Sequence, residues 1–334
     1  MCNAPTVSET RQIKEALQCE RRITVILTVT LNPCIDRTLS VDALNVGGHN
    51  VVQRVQNVVA GKGIDVNVVL HNLRVDTRAA GFDFIRNGHQ VSDFLSSMNI
   101  PFYGVDVDAE LRVNTKVFDE NACCMTELNC KGPQMTMLEE NEFMEVFEKA
   151  LERVDVLVAD GSVPPGIGTD IYARMIKIAK KKNVYSVLDA SGELLEKGLS
   201  ARPDMVKPNR TELEQLLRRS LNSIDECIDG CHELMELGAG AVCLSLGSDG
   251  CILADSEGAW FSEGLDIEVR GFQGAGDSVV AGICIAVEKG LGGMEQLRSG
   301  VACAHGSLIR EGTDMCTRES YDDMLALIPV RKIY

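Results

Sequence analysis

The sequence predicts an α/β fold in which a mainly parallel sheet is covered by helices on both faces and a smaller β-sheet projects from it. Three observations carry this. From about residue 133 onward, apolar strand-like runs alternate with amphipathic helical stretches. The strand runs are continuously apolar, as expected of strands buried on both faces. Two segments, 34–59 and 101–131, break the rhythm with strand-like pieces and few helix signals.

In chain order, residues 1–22 are mostly polar and form an N-terminal extension, helical in character around Lys14-Glu15-Ala16-Leu17, with no identifiable chemistry. The run Ile23 to Leu31 is short and β-branched, so it reads as a buried strand and not as a signal segment. Thr38-Leu39-Ser40-Val41, Val51 to Val59 and Arg112 to Phe118 supply the projecting sheet. A sheet that small cannot bury two faces alone, so it is expected to cover a cleft or to pair with a second subunit. In Glu142 to Val154, the positions Phe143, Val146, Phe147, Ala150, Leu151 and Val154 recur at helical spacing. Ile171 to Lys182 and Ser223 to Leu237 behave alike. Between them, Val154 to Ala159, Tyr185 to Leu188 and Ala241 to Leu246 are strands. The expected core is therefore 23–33, 60–100 and 132–334, with 34–59 and 101–131 outside it.

Composition bounds the function. The chain has 334 residues, 45% apolar and 25% charged, which excludes wholesale disorder. Its net charge of −16 argues against a nucleic-acid binder, which needs a basic face, but permits an anionic small substrate held by a few local cations. No apolar run approaches the roughly 20 residues that span a bilayer. The 13 cysteines are scattered and form no C-x-x-C pair, so a cytoplasmic chain with reduced thiols is expected. Cys227 and Cys231, beside His232, fit helix packing better than zinc. Cys123 and Cys124 are expected on opposite faces of a strand.

Five segments bear chemistry. Gly271 to Ser278 places Gly274, Ala275 and Gly276 before Asp277 at the start of an apolar helix. Amides there can converge on an anion, and the carboxylate can take a proton from an attacking hydroxyl. The plainer alternative is a glycine-rich helix entry with a first-turn acid. Gly61-Lys62-Gly63 is no Walker loop; its glycines permit close approach to a ligand or simply make a strand-to-helix turn. In Lys207-Pro208-Asn209-Arg210-Thr211-Glu212, Asn209 and Glu212 lie three apart, which suits either magnesium held through water or a helix capping box. Arg112, Asn114 and Lys116 share one strand face, a cationic strip for a phosphate ester or a protected edge strand. Ser245 to Gly250 follows a buried strand, and its turn glycines, Gly247 and Gly250, suit a nucleotide or a hairpin.

The set and order of these segments resemble the ribokinase-like sugar kinases of the PfkB group, and most of all the branch of 1-phosphofructokinase and tagatose-6-phosphate kinase. The resemblance runs from about Ile23 to the C-terminus. Beyond the segments above, it includes Thr30-Leu31-Asn32-Pro33 through Asp36, Thr126-Glu127-Leu128-Asn129, Gly161 to Gly166 and Leu188 to Glu193. It implies a three-layer α/β/α core with a β-sheet lid and a homodimer joined through the lid. It implies ATP and Mg2+ as cofactors and a sugar phosphate as partner, with no nucleic acid and no membrane. By the same resemblance Asp277 is the general base, with Gly274, Ala275 and Gly276 as the anion hole. Asp36, Gly61, Lys62, Asp65, Arg112 and Lys116 meet the sugar phosphate. Lys207, Asn209, Glu212, Ser245, Gly247 and Gly250 serve the nucleotide, Asn209 and Glu212 holding magnesium through water.

Several positions depart from the family pattern. Asp65 stands where the family has Asn; ionised, it would only accept hydrogen bonds and would repel a phosphate. Asp160 replaces Ser, Gly271-Phe272-Gln273 replaces Ser-Thr-Val, and His305-Gly306 occupies a region of small alanines near the adenine. The implied reaction is phosphoryl transfer from ATP to a phosphorylated ketohexose, fructose 1-phosphate first. Tagatose 6-phosphate, fructose 6-phosphate and an unphosphorylated sugar or nucleoside are alternatives, as is an inactive ligand-sensing relative.

Overall fold

In the computed structural model, which describes residues 24–271, 273–312 and 314–334, the strands and helices alternate through most of the chain. They are β1 (Ile26–Thr30), β2 (Cys34–Val41), β3 (Arg54–Ala60), α1 (Lys62–Asn72), β4 (Thr77–Phe84), α2 (Gln90–Ser97), β5 (Phe102–Val107), β6 (Arg112–Asp119), β7 (Cys124–Leu128) and α3 (Met137–Ala150). Then come β8 (Val156–Asp160), α4 (Ile171–Lys181), β9 (Tyr185–Asp189), α5 (Gly192–Leu199), β10 (Met205–Val206), α6 (Arg210–Leu217), α7 (Ile224–Glu236), β11 (Val242–Ser245), β12 (Cys251–Asp255) and β13 (Gly258–Ser262). The last are α8 (Ala275–Glu288), α9 (Gly293–Leu308), α10 (Arg318–Leu327) and β14 (Arg331–Lys332). The expected N-terminal extension, 1–22, lies outside the described residues.

Ten strands form the large sheet in the order β14-β13-β12-β11-β10-β9-β8-β1-β4-β5, parallel from β11 to β5 and antiparallel from β11 to β14. The continuous apolar runs have the expected cause. In β1, Leu27 and Val29 pack into one core while Ile26 packs into the other, and in β8 Leu157 and Ala159 oppose Val156 and Val158. One core includes Phe143 and Phe147 of α3, the other Val280 and Ile283 of α8 and Val301 of α9. A sheet covered on both faces in this way is the three-layer core.

The second sheet has four strands in the order β3-β2-β6-β7, with β2 and β6 parallel. Its parallel register sets Asp36 beside Asn114 and Thr38 beside Lys116. One expected boundary is corrected. Phe102–Val107, assigned to the projecting segment, pairs with β4 in the large sheet as β5. Its alternation buries Val105 and Val107 against the core, which the polar residues between them obscured.

Two smaller expectations also change. Helix α3 begins at Met137, not Glu142, because Thr136 and Glu139 form a capping box, worth about 1 kcal/mol and invisible to apolar periodicity. Cys123 lies in a turn at φ 49°, so it does not alternate with Cys124 across a strand, and both are exposed. Cys227 and Cys231 are buried on α7. Among the described residues, no helix is long and apolar enough to cross a membrane.

Candidate active site

The parallel strands end at one edge, where a doubly wound sheet opens a crevice. Thr30 closes β1, Asp160 closes β8 and Asp189 closes β9, in register with one another. Lys207 follows β10, and Ser245 ends β11. Two cavities open along this edge. One, of about 530 Å³, lies under the small sheet and is lined by Asp36, Gly61, Lys62, Asp65, Arg112 and Lys116, with Glu212, Gly274 and Asp277. The other, of about 760 Å³, is lined by Asn209, Ser245, Gly247, Gly250, Ala275 and Gly276, with His305 and the apolar Leu265, Val279 and Val301.

The N-terminus of α8 is the wall between them. Its first residue follows Gly274, which adopts the left-handed conformation at φ 71° that favours glycine, and no side chain caps the helix. The first amides of α8 therefore keep free N–H groups, and the helix dipole favours negative charge there. Asp277, in that first turn, faces the polar cavity, while Ala275 and Gly276 face the apolar one. Burial pushes the Asp277 carboxyl up to about 6, against the opposing pull of Lys62. The group is thus ionised at neutral pH and close to the value that suits a general base.

Beneath the partition sits a charge cluster that joins the expected Lys62 and Lys207 through a buried acid, Asp189, which sequence reasoning left without a role. Asp189 binds two lysines, Lys62 Nζ at 2.8 Å and Lys207 Nζ at 3.1 Å. Burial alone would raise the Asp189 carboxyl; Lys207 and Lys62 overcome it and hold the group below its ordinary value. Burial alone would likewise lower Lys62, but Asp189 and Asp277 raise it. A Cβ on Gly276 would lie 3.5 Å from Lys207 Nζ, so this ammonium stands directly under the glycine turn. Lys207 therefore underlies the partition rather than lining either cavity.

The cationic strip is also not as expected. Lys116 is buried and its Nζ donates to Asp36 Oδ2 at 2.7 Å. Asp36 Oδ1 accepts from Asn114 Nδ2 at 3.2 Å and from Cys34 Sγ at 3.3 Å, which fixes the carboxylate. Arg112 instead donates to the carbonyls of Asn32, Pro33 and Cys130. Carbonyls orient a guanidinium without cancelling its charge. Among the described residues Arg112 pairs with no carboxylate, so it is the cation of this cavity left open to an anion.

Asn209 and Glu212 form a complete capping box at the start of α6. Glu212 N–H donates to Asn209 Oδ1, and Asn209 N–H donates to Glu212 Oε2, both at 2.9 Å. The structural alternative for this pair is thus realised, yet Asn209 and Glu212 still line the two cavities. Ser245 to Gly250 is both a β11–β12 connection and a wall of the apolar cavity. His305 Nε2 accepts from Leu265 N–H at 2.9 Å while Nδ1 donates to Val301 O, and burial lowers its pKa.

Two cavities meeting at a helix end with uncapped amides and a first-turn acid provide the parts that phosphoryl transfer to an alcohol would need. Comparison with known proteins gives the family. The model of the pfkB family carbohydrate kinases matches residues 29–319. A 1-phosphofructokinase of Bacillus subtilis is 31% identical over 309 residues, covering 92% of this chain and all of the relative. A tagatose-6-phosphate kinase of Staphylococcus epidermidis is 29% identical over 312 residues, covering 92% and 100%. Phosphofructokinase-2 of Escherichia coli, solved in complex with potassium, has a TM-score of 0.84 at 25% identity and covers 91% of this chain and 99% of its own. The chain belongs to the pfkB family; it is a carbohydrate kinase with the ribokinase-like fold.

Proposed function

We propose that this kinase transfers the γ-phosphoryl group of ATP to a hydroxyl of a phosphorylated ketohexose, with fructose 1-phosphate as first choice. The observation that carries this is the partition by α8, with an ionised Asp277 facing a cavity that also presents the unneutralised Arg112. The names of the relatives support the substrate class, since they are kinases of fructose 1-phosphate and tagatose 6-phosphate.

In this mechanism ATP lies in the apolar cavity along Ser245, Gly247 and Gly250, and its phosphates reach the amides of Gly274 to Gly276. Lys62 and Lys207 place positive charge beneath the transfer point. The sugar sits under the small sheet, its hydroxyls on Asp36 and the Gly61 turn and its phosphate on Arg112. Asp277 takes the proton of the attacking hydroxyl as the new O–P bond forms and ADP leaves. Glu212, partly exposed on the cavity with Asn209 bonded to it, is an oxygen donor suited to Mg2+ held through water. When bound, the ion neutralises charge on the ATP phosphates. Closure of the small sheet would exclude water, the competing acceptor. Exposed Val51, Val55 and Leu128 on that sheet and its loop suit a second copy of the chain.

The test is ADP release with Mg-ATP against fructose 1-phosphate, fructose 6-phosphate, tagatose 6-phosphate, free fructose, ribose and a nucleoside. Preference for one ketohexose phosphate is expected. Turnover of unphosphorylated acceptors alone would overturn the role of Arg112. ATP binding without turnover on any acceptor would favour a ligand-sensing relative.

A further inference from the structure

The mechanism above moves the hydroxyl's proton with one carboxylate, yet the acceptor cavity sets a second beside it. Asp65, in the first turn of α1, and Asp277, in the first turn of α8, both line this cavity, with their carboxyl groups close enough to hydrogen-bond to each other. Carboxylate oxygens only accept, so a bond between two such groups requires a proton on one of them.

The surroundings decide which acid carries it. Asp277 faces Lys62 from α1 and Lys207 after β10, with Asp189 of β9 opposing them. Asp65 faces Asp277, Asp36 of β2 and Lys116 of β6, and that lysine is already bonded to Asp36. Asp160 of β8 adds a further acid facing both. Burial, then Asp277 and Asp36, push the Asp65 carboxyl well above the carboxylate range, whereas Asp277 rises only to about 6.

We propose that Asp65 is a positioning residue, a neutral acid that donates its proton in a hydrogen bond to the Asp277 carboxylate and so aims the base. This rests on the reading of Asp277 as the base. Asp65 keeps its proton throughout turnover. The acceptor hydroxyl's proton passes to Asp277 as the hydroxyl oxygen bonds to the γ-phosphorus and the bond to the ADP oxygen breaks, and Asp277 then releases it to water. A neutral carboxyl offers one donor and one acceptor, as an asparagine side chain does. The departure at position 65 therefore places no negative charge beside a sugar phosphate.

Carboxyl-carbon NMR titration of the full chain tests this without any acceptor or ATP. The Asp65 and Asp277 resonances are assigned by their loss in Asp65→Asn and Asp277→Asn. In the wild type, Asp65 should remain in its protonated form at pH 7; titration near pH 4 overturns the proposal. Asp65→Ala removes the donor and should raise the Asp277 midpoint by on the order of one pH unit, while Asp65→Asn keeps a donor and should hold it within about 0.3. An ionised Asp65 predicts the opposite sign, since either substitution would remove a repelling charge and lower the midpoint. That result, or no movement in Asp65→Ala, overturns the proposal. The acid limb of kcat/KM should follow the same order among the variants. If the titrations behave as expected but wild type turns over no acceptor, the base assignment fails and the proton-sharing pair stands.

Discussion

Replacement of Arg112 by alanine separates recognition of the sugar's phosphate from the chemistry. The guanidinium is oriented by three backbone carbonyls and neutralised by no carboxylate among the described residues, whereas neighbouring Lys116 is spent on Asp36 at 2.7 Å. A hydrogen bond to a charged partner contributes about 1.5–3 kcal/mol when desolvated. Arg112 is half-buried, so solvent screening reduces this to about 1–2 kcal/mol. At 1.4 kcal/mol per factor of ten, KM for fructose 1-phosphate should rise roughly 5- to 30-fold. The phosphate is remote from the attacked phosphorus, so kcat should change by less than about threefold. Initial-rate ADP release on fructose 1-phosphate and on free fructose gives both constants. Free fructose, lacking the phosphate, should be unaffected. An unchanged KM on the phosphorylated sugar, or an equal loss on both acceptors, would refute the assignment.

Two further outcomes follow from the buried charges. Lys207→Met leaves Asp189 with Lys62 alone and should destabilise the fold by about 3 kcal/mol in urea denaturation, with Asp189→Asn recovering part of that loss. Because Asp189 is depressed in the fold, its ion pairs stabilise fully above the unfolded value of about 3.9 and are lost as pH falls from there through the lower folded value, so wild-type stability should fall more steeply with acid than that of the Asp189→Asn variant. His305→Ala should raise KM for ATP several-fold, roughly 1 kcal/mol, with KM for the sugar unmoved, because His305 accepts from Leu265 N–H at the wall of the apolar cavity. Its pKa is lowered by burial, so that contact is intact above about pH 6.5 and weakens as pH falls, which isothermal titration of ATP across pH 5–8 would report.

Much of this was legible because strand and helix periods are local. The runs that became β8, β9 and β11 carry their burial on both faces in their composition, and the Gly274 to Asp277 turn announces a helix end open to an anion. The rest depends on register. Nothing near Asp189 distinguishes it from any acid at a strand end; only the alignment of Thr30, Asp160 and Asp189 along one edge brings it between Lys62 and Lys207. Lys116 looked available because its partner Asp36 lies 80 residues away and meets it through a parallel pairing of distant segments. Asp65 looked repulsive because its charge state is set by Asp277, Asp36 and burial, none of which is sequence-local.

The most direct test of the account is Asp277→Asn assayed on the preferred acceptor, with ATP binding and thermal unfolding measured alongside. Asparagine keeps the shape and the helix start but cannot take the hydroxyl's proton. The account predicts a fall in kcat of about 10²- to 10⁴-fold with ATP affinity and folding retained. A variant that turns over within twofold of wild type would contradict the assignment of Asp277 as the base on which the mechanism rests.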